Sequence, residues 1–209
     1  MKTIVAFGDS NTWGLVPKSE PHERYPEDVR WTGVLQGLLK DARVVEEGLC
    51  GRTTVFEDEL RPGRKGLSML PVILESQYPV DAVIIMLGTN DCKSVYGASA
   101  HTIGKGMELC IDELKKYVPA EKILLVSPIF LGNDVWWPDK DPEFGPRSVE
   151  VSKELKAIYV RIAEAKGTAF LAASDHAYAD DLDNEHMNEK GHASFAKAVY
   201  EKLVEMRIA

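Results

Sequence analysis

The sequence predicts an α/β domain in which a five-stranded, mostly parallel sheet is covered on both faces by helices. Three observations lead there. Short runs rich in Val, Ile and Leu alternate with longer stretches whose apolar residues recur at helical spacing, the order that builds parallel sheets. The run Val80 to Leu87 is almost continuously apolar, as suits a strand covered on both sides. The 209 residues contain no internal repeat, low-complexity tract or linker, so residues 1–209 are expected to fold as one domain with a sizeable core.

Ile4 to Phe7 forms the first strand and runs directly into Gly8-Asp9-Ser10-Asn11, residues with turn and helix-cap chemistry. Residues 15–28 are rich in proline and charge and read as a loop. Trp31, Val34, Leu35, Leu38 and Leu39 then form the apolar stripe of a helix facing a core. Ala42 to Val45 makes a second strand, followed by a loop through Gly48 and Gly51. Leu67, Leu70, Ile73 and Leu74 mark a helix over 66–77. The strand over 80–87 breaks at Gly88-Thr89-Asn90-Asp91. A helix follows with Ile103, Met107, Cys110, Ile111, Leu114 and Val118 on one face and Thr102 as its cap. Lys122 to Ser127 is the fourth strand, stopped by Pro128, and residues 130–147 lack periodicity. Ser148 is expected to cap a helix carrying Val151, Leu155, Ile158, Tyr159 and Ile162. Thr168 to Leu171 is the fifth strand, residues 175–191 an acidic loop, and Phe195, Ala196, Val199, Tyr200 and Leu203 define the last helix.

Composition narrows the partners. A net charge of −8 with no basic run argues against nucleic acid, because phosphate binding needs clustered Lys and Arg. Cys50, Cys92 and Cys110 form no CxxC pair and leave an odd count, which suits free thiols in a reducing compartment. The first apolar run is too short for a signal peptide, and no stretch approaches the length of a bilayer span. A cytoplasmic protein with no membrane partner is the expectation.

Polar residues gather at strand ends. Ser10 follows the first strand, Gly51 the second, Asn90 the third, and Asp183 with His186 the fifth. Right-handed crossovers place those ends along one edge, where open α/β sheets bind ligands. A nucleophilic serine needs a base, a carboxylate to orient the base, and donors for the developing oxyanion. Asp183 and His186 are three apart, so a turn lets the carboxylate hold one imidazole nitrogen while the other faces Ser10. Backbone N–H groups of Ser10 and Gly51 and the Asn90 amide are the candidate donors. Each residue also has a plainer reading: Ser10 as a helix cap, Asn90 as a cap or Asx-turn, the glycines as turn geometry, and the acidic loop as solvated surface. Asp and His also crowd there as metal ligands do, but no matching ligand set is evident, so no metal is expected. No Gly-rich phosphate fingerprint follows the first strand, which disfavours nucleotide binding.

Gly8-Asp9-Ser10, a glycine after the second strand, Gly88-Thr89-Asn90-Asp91 and Asp183-x-x-His186 resemble the four blocks of the SGNH (GDSL) hydrolase superfamily, in the family's order and across the whole chain. The stretches Gly8 to Gly14 and Glu46 to Thr54 resemble its bacterial arylesterase and acyltransferase branch. The resemblance implies a three-layer flavodoxin-like sheet in the order 2-1-3-4-5. It implies Ser10 as nucleophile, Asp183 and His186 as its partners, and Ser10, Gly51 and Asn90 as the oxyanion hole. It implies a serine esterase without cofactor or metal, acting on small-molecule short acyl esters, with some acyl transfer to alcohols and homo-oligomeric assembly. Carbohydrate O-deacetylase and thioesterase or lysophospholipase activities use the same residues. Glu46 stands where the superfamily often has Asn, and Asn11 follows Ser10 where Leu is common. The G-x-S-x-G elbow of the α/β-hydrolases is absent.

Trp13, three residues beyond Ser10, is a candidate substrate-binding wall, with helix-to-sheet packing as the alternative. Trp136, Trp137 and Phe144 lie in the long irregular insert and read as a substrate lip or a subunit contact. His192 reads as a cap or packing residue.

Overall fold

The strands are short and mostly apolar, and they assemble in register into one parallel sheet. In the computed structural model, which describes residues 1–209, they are β1 (Lys2–Gly8), β2 (Ala42–Gly48), β3 (Ala82–Met86), β4 (Ile123–Ser127) and β5 (Ala169–Ala172). Their order is β2-β1-β3-β4-β5, all parallel, with Gly8 opposite both Gly48 and Met86 at one end. The helices are α1 (Ser10–Trp13), α2 (Trp31–Leu38), α3 (Gly66–Ser76), α4 (Ala100–Leu114), α5 (Pro146–Lys166) and α6 (Glu189–Glu205). The architecture is the expected three-layer α/β fold.

Alternation along the strands divides the core in two. Val5, Phe7, Val83, Ile85 and Leu125 face α3, α4 and α5, meeting Leu70, Leu74, Ile103, Met107, Leu155 and Tyr159. Ile4, Ala6, Ile84, Met86, Leu124 and Val126 face α2 and α6, meeting Trp31, Leu35, Phe195 and Val199. Each such fully buried apolar side chain contributes roughly 1.5–3 kcal/mol. The two layers together hold the strand ends in fixed register. No helix is long and apolar enough to cross a membrane.

Several element ends differ from the sequence expectation, each for a local reason. β2 continues three residues past Val45, because Glu46, Glu47 and Gly48 pair with Ala6, Phe7 and Gly8. β3 is shorter than the apolar run, its ends serving as loop. Ser99, not Thr102, caps α4, its hydroxyl accepting from the Thr102 N–H at 3.2 Å. α5 begins at Pro146, so Ser148 lies in its first turn, accepting from the Gly145 N–H at 3.0 Å and donating to the Cys92 carbonyl at 2.6 Å. Lys122 closes a 3₁₀ turn before β4, and β5 sits one residue later than expected. The insert over 130–147 is pinned to the core through Leu131, Val135 and Phe144, all buried.

Candidate active site

β1 ends at Gly8, and Asp9 caps the single turn of α1, its Oδ1 accepting from the Asn11 N–H at 3.0 Å. Gly8 permits this turn because a Cβ there would lie 2.1 Å from Thr12 Oγ1. Ser10 is therefore the first residue of a helix at the carboxyl end of a central strand. Its N–H is one of those a helix cannot satisfy internally.

The loop after β5 folds back over α1. Asn11 clamps it from below: its Nδ2 donates to the Glu185 carbonyl at 3.2 Å, and its Oδ1 accepts from the Met187 N–H at 2.9 Å. Met187 is wholly buried, which anchors the loop in the core. Asp183 Oδ1 accepts from the Glu185 and His186 N–H groups, each at 2.9 Å, and Oδ2 accepts from the Lys18 N–H at 3.1 Å. That leaves Asp183 Oδ2 2.8 Å from His186 Nδ1, while His186 Nε2 lies 2.8 Å from Ser10 Oγ. Residues 176 positions apart thus meet in one hydrogen-bonded row.

The donors gather on the other side of Ser10. Gly51 adopts φ 84°, a left-handed conformation suited to glycine, and its N–H donates to no protein acceptor. Asn90 donates one Nδ2 hydrogen to the Arg52 carbonyl at 3.1 Å, which fixes the amide and leaves its other hydrogen free of that bond. Gly51, Asn90, Ser10 and His186 line one cleft of about 540 Å³. Such a set can deprotonate a serine hydroxyl and surround a developing oxyanion with donors.

The sequence model of the GDSL-like lipase/acylhydrolase family matches residues 6–194. The chain belongs to that family. The native aryl esterase of M. smegmatis is 35% identical, with 99% of this chain and 100% of that chain covered and a TM-score of 0.89. A carbohydrate acetylesterase from Sinorhizobium meliloti is 34% identical over 99% of this chain and 100% of its own, with a TM-score of 0.90. A carbohydrate acetylesterase family member from the same organism is 30% identical over 99% of both chains, with a TM-score of 0.88. No curated protein matches the chain.

Beyond the blocks shared with GDSL acylhydrolases, the site rests on contacts that the sequence does not reveal. The Arg52 guanidinium is buried over the Phe7 ring at 4.1 Å and donates to the Gly8 carbonyl at 2.8 Å and to the Glu47 carbonyl, tying the ends of β1 and β2 together. Asp91 accepts from the Thr54 N–H at 3.0 Å and from the Thr54 hydroxyl, joining the Gly51 loop to the Asn90 turn. Glu46, the departure from the usual Asn, accepts from Arg30 Nε at 2.6 Å and Nη2 at 2.7 Å and from the Thr32 hydroxyl, pinning α2 to β2. Arg24 Nη2 also donates to Glu46 at 3.2 Å, and an acidic side chain at a strand end preceded by two arginines was the available signal.

Trp13 is a correction. It does not line the cleft; Arg24 lies over its ring at 5.4 Å and Arg24 Nε donates to its carbonyl at 2.6 Å. Its ring is taken up by the loop over 15–28, which carries Arg24. Among the insert aromatics, Phe144 is buried under Lys93, and Trp136 and Trp137 are partly exposed outside the cleft lining. His192 is a packing residue: buried, its Nδ1 accepts from the Trp31 N–H at 3.2 Å, and burial pushes its pKa down to about 4.

Charge dominates the cleft. Lys18, Arg61, Lys93 and Lys140 face Asp139, Asp141, Glu143 and Glu185 around its wall. Burial alone would lower the His186 pKa, but the Glu185 charge first, then the Asp183 hydrogen bond and charge, raise it to about 9. Asp183 is also buried, yet its bonds to His186 and Glu185 hold its carboxyl below the ordinary value. Burial of Cys50, with the charges of Asp9 and Glu185, pushes its thiol up to about 11, so it lines the cleft as a neutral group.

Proposed function

We propose that this GDSL-family hydrolase is a serine esterase that cleaves short acyl esters through an acyl-enzyme on Ser10. His186 takes the Ser10 proton as Ser10 Oγ attacks the ester carbonyl. Asp183 holds the imidazole with Nδ1 protonated. The N–H groups of Ser10 and Gly51 and the Asn90 amide stabilise the oxyanion. His186 then protonates the departing alcohol, and a second acceptor, water or another alcohol, releases the acyl group. The observation that carries this reading is the row Asp183–His186–Ser10, with both links at 2.8 Å. Fluorophosphonate labelling tests it: wild-type Ser10 should label rapidly, and Ser10→Ala should neither label nor hydrolyse p-nitrophenyl acetate. Full esterase activity in Ser10→Ala would overturn the assignment.

The charged wall favours a polar alcohol portion. Few apolar side chains, Leu15 and Pro138 among them, line the cleft, so a long acyl chain finds little surface to bury against. This supports removal of acetyl groups from carbohydrate as a second reading, and two similar structures are described as carbohydrate acetylesterases. Comparing acetyl and long-chain p-nitrophenyl esters with an acetylated sugar separates the readings. A preference for long chains would contradict both.

A further inference from the structure

Glu185 sits between the residues assigned to His186 and Asp183 chemistry but takes no part in their row. Its backbone is fixed at both ends, the N–H bonded to Asp183 Oδ1 at 2.9 Å and the carbonyl to Asn11 Nδ2 at 3.2 Å. Asn184 before it adopts φ 60°, turning the chain so that the side chain enters the cleft. That side chain is 7% exposed, and its Oε1 lies 3.7 Å from His186 Nε2, beyond hydrogen-bond distance. Lys93 is the cation facing it, and Lys93 is already engaged by Glu143 and by Asp141. The carboxylate accepts no hydrogen bond from the protein. A buried carboxylate in that condition needs a donor from whatever enters the site.

The position of that donor is constrained by the chemistry. In the release step of the mechanism above, the attacking oxygen must lie within hydrogen-bond distance of His186 Nε2. An oxygen about 2.8 Å from both Nε2 and Glu185 Oε1 spans the 3.7 Å between them. We propose that Glu185 positions the water that releases the acyl group, accepting a hydrogen bond from one of its O–H groups while His186 Nε2 takes the other proton. The water oxygen bonds to the acyl carbon and the bond from that carbon to Ser10 Oγ breaks. The proton held on Nε2 passes to Oγ, and the carboxylic acid leaves; Glu185 exchanges no proton. A monohydric alcohol has a single O–H, which His186 requires, so it offers Glu185 nothing. Glu185 therefore favours water over simple alcohols as the acceptor. The inference rests on the serine-esterase reading.

The test is partitioning of the acyl-enzyme formed from p-nitrophenyl acetate between water and added 1-butanol, read as butyl acetate against acetate. Both routes draw on the same neutral His186, so its protonation cancels in the ratio, which a merely structural role for Glu185 would leave unmoved. Glu185→Leu is expected to raise the ratio about tenfold or more, the usual loss with a charge-assisted hydrogen bond. Glu185→Gln, which keeps an acceptor oxygen, should raise it less and carries the test if the Leu variant fails to fold. A ratio unchanged or lowered in the folded variants, with fluorophosphonate labelling of Ser10 intact, overturns the inference. Absence of labelling in the wild-type protein would instead overturn the esterase reading beneath it.

Discussion

Replacing Glu185 with Gln should raise kcat/KM near pH 7 and move the acid limb of its pH profile downward. On the proposed mechanism the essential base is neutral His186, and the acid limb of kcat/KM reports that base in the free enzyme. Four groups bear on the imidazole: Asp183 at Nδ1, Glu185 at 3.7 Å from Nε2, Asp9 beneath the turn of α1, and Lys93 acting through Glu185. Burial opposes the imidazolium, yet the carboxylates, Glu185 foremost, raise its pKa to about 9. Burial likewise pushes Glu185 itself up to about 7, so it is mostly ionised in the range where His186 titrates. At 3.7 Å, Coulomb's law gives about 4 kcal/mol at an effective dielectric of about 20 and about 1 kcal/mol in water. These limits bracket a fall of roughly 1 to 3 pKa units for His186 once the Glu185 charge is gone. At pH 7 the wild-type imidazole is mostly protonated, so kcat/KM should rise about tenfold or more in Glu185→Gln. Initial rates on p-nitrophenyl acetate from pH 5 to 10, corrected for spontaneous hydrolysis, measure the limb. The two groups titrate as a coupled pair, so the displacement of the whole limb is the quantity to compare. A limb that stays in place would refute Glu185 as the chief charge acting on His186.

Other consequences follow from the same geometry. Asn90→Ala should lower kcat by about 10²–10³ with little change in KM, as expected for a donor used mainly in the transition state. Asn11→Ala removes two of the bonds that hold the loop carrying His186 to α1. It should cost about 1–3 kcal/mol in a urea titration and lower kcat as the Ser10–His186 distance loosens. Asp9 is buried with its pKa raised by burial from 3.8 to about 6, so folding favours its protonated form. That contribution is complete below about pH 4 and is lost as pH rises through about 6. Asp9→Asn should therefore stabilise the fold at pH 7.5 by up to about 3 kcal/mol and confer no such gain near pH 4. Urea unfolding of both proteins at the two values measures the difference, and equal differences would contradict the assignment.

The sheet was legible because its information is local. Each strand is a compact apolar run, each helix a stripe at 3.6-residue spacing, and alternation between them leaves few ways to connect a parallel sheet. Ser10, Asn90, Asp183 and His186 were legible as short blocks at strand ends, and the fold brings those ends together. What escaped was cross-chain. Asn11 looked like a departure from a family pattern, yet its amide is the clamp for a loop 174 residues further on. Arg52 and Asp91 stand inside the matched blocks with no sign in the sequence of what they bond, although both are buried links between neighbouring strand ends. Trp13 was misplaced because proximity in sequence to Ser10 does not say which neighbour takes the indole, and the loop holding Arg24 captures its ring. Boundaries slipped where a side chain or ladder partner, not composition, decides them, as at Ser99 and at Glu46.

The acidic residues around His186 show how far environment outweighs residue type. Asp183 and Glu185 are two positions apart on one buried turn, and Asp9 lies just below. Asp183 accepts from the backbone N–H groups of Lys18, Glu185 and His186, and its carboxyl is held below the ordinary value. Asp9 accepts one such bond, from Asn11, and Glu185 none; burial raises both. Donor count thus ranks three carboxyls that composition cannot distinguish. The satisfied one is a fixed anion suited to orienting an imidazole. The unsatisfied one that reaches the cleft is an acceptor waiting for substrate or water, at the cost of holding His186 protonated near neutrality. If both assignments hold, Glu185→Gln must separate them: faster acylation at pH 7 from a freer base, together with weaker discrimination in favour of water once the acyl group is on Ser10. One variant moving two observables in opposite directions is an outcome that neither a general loss of stability nor a simple electrostatic effect produces.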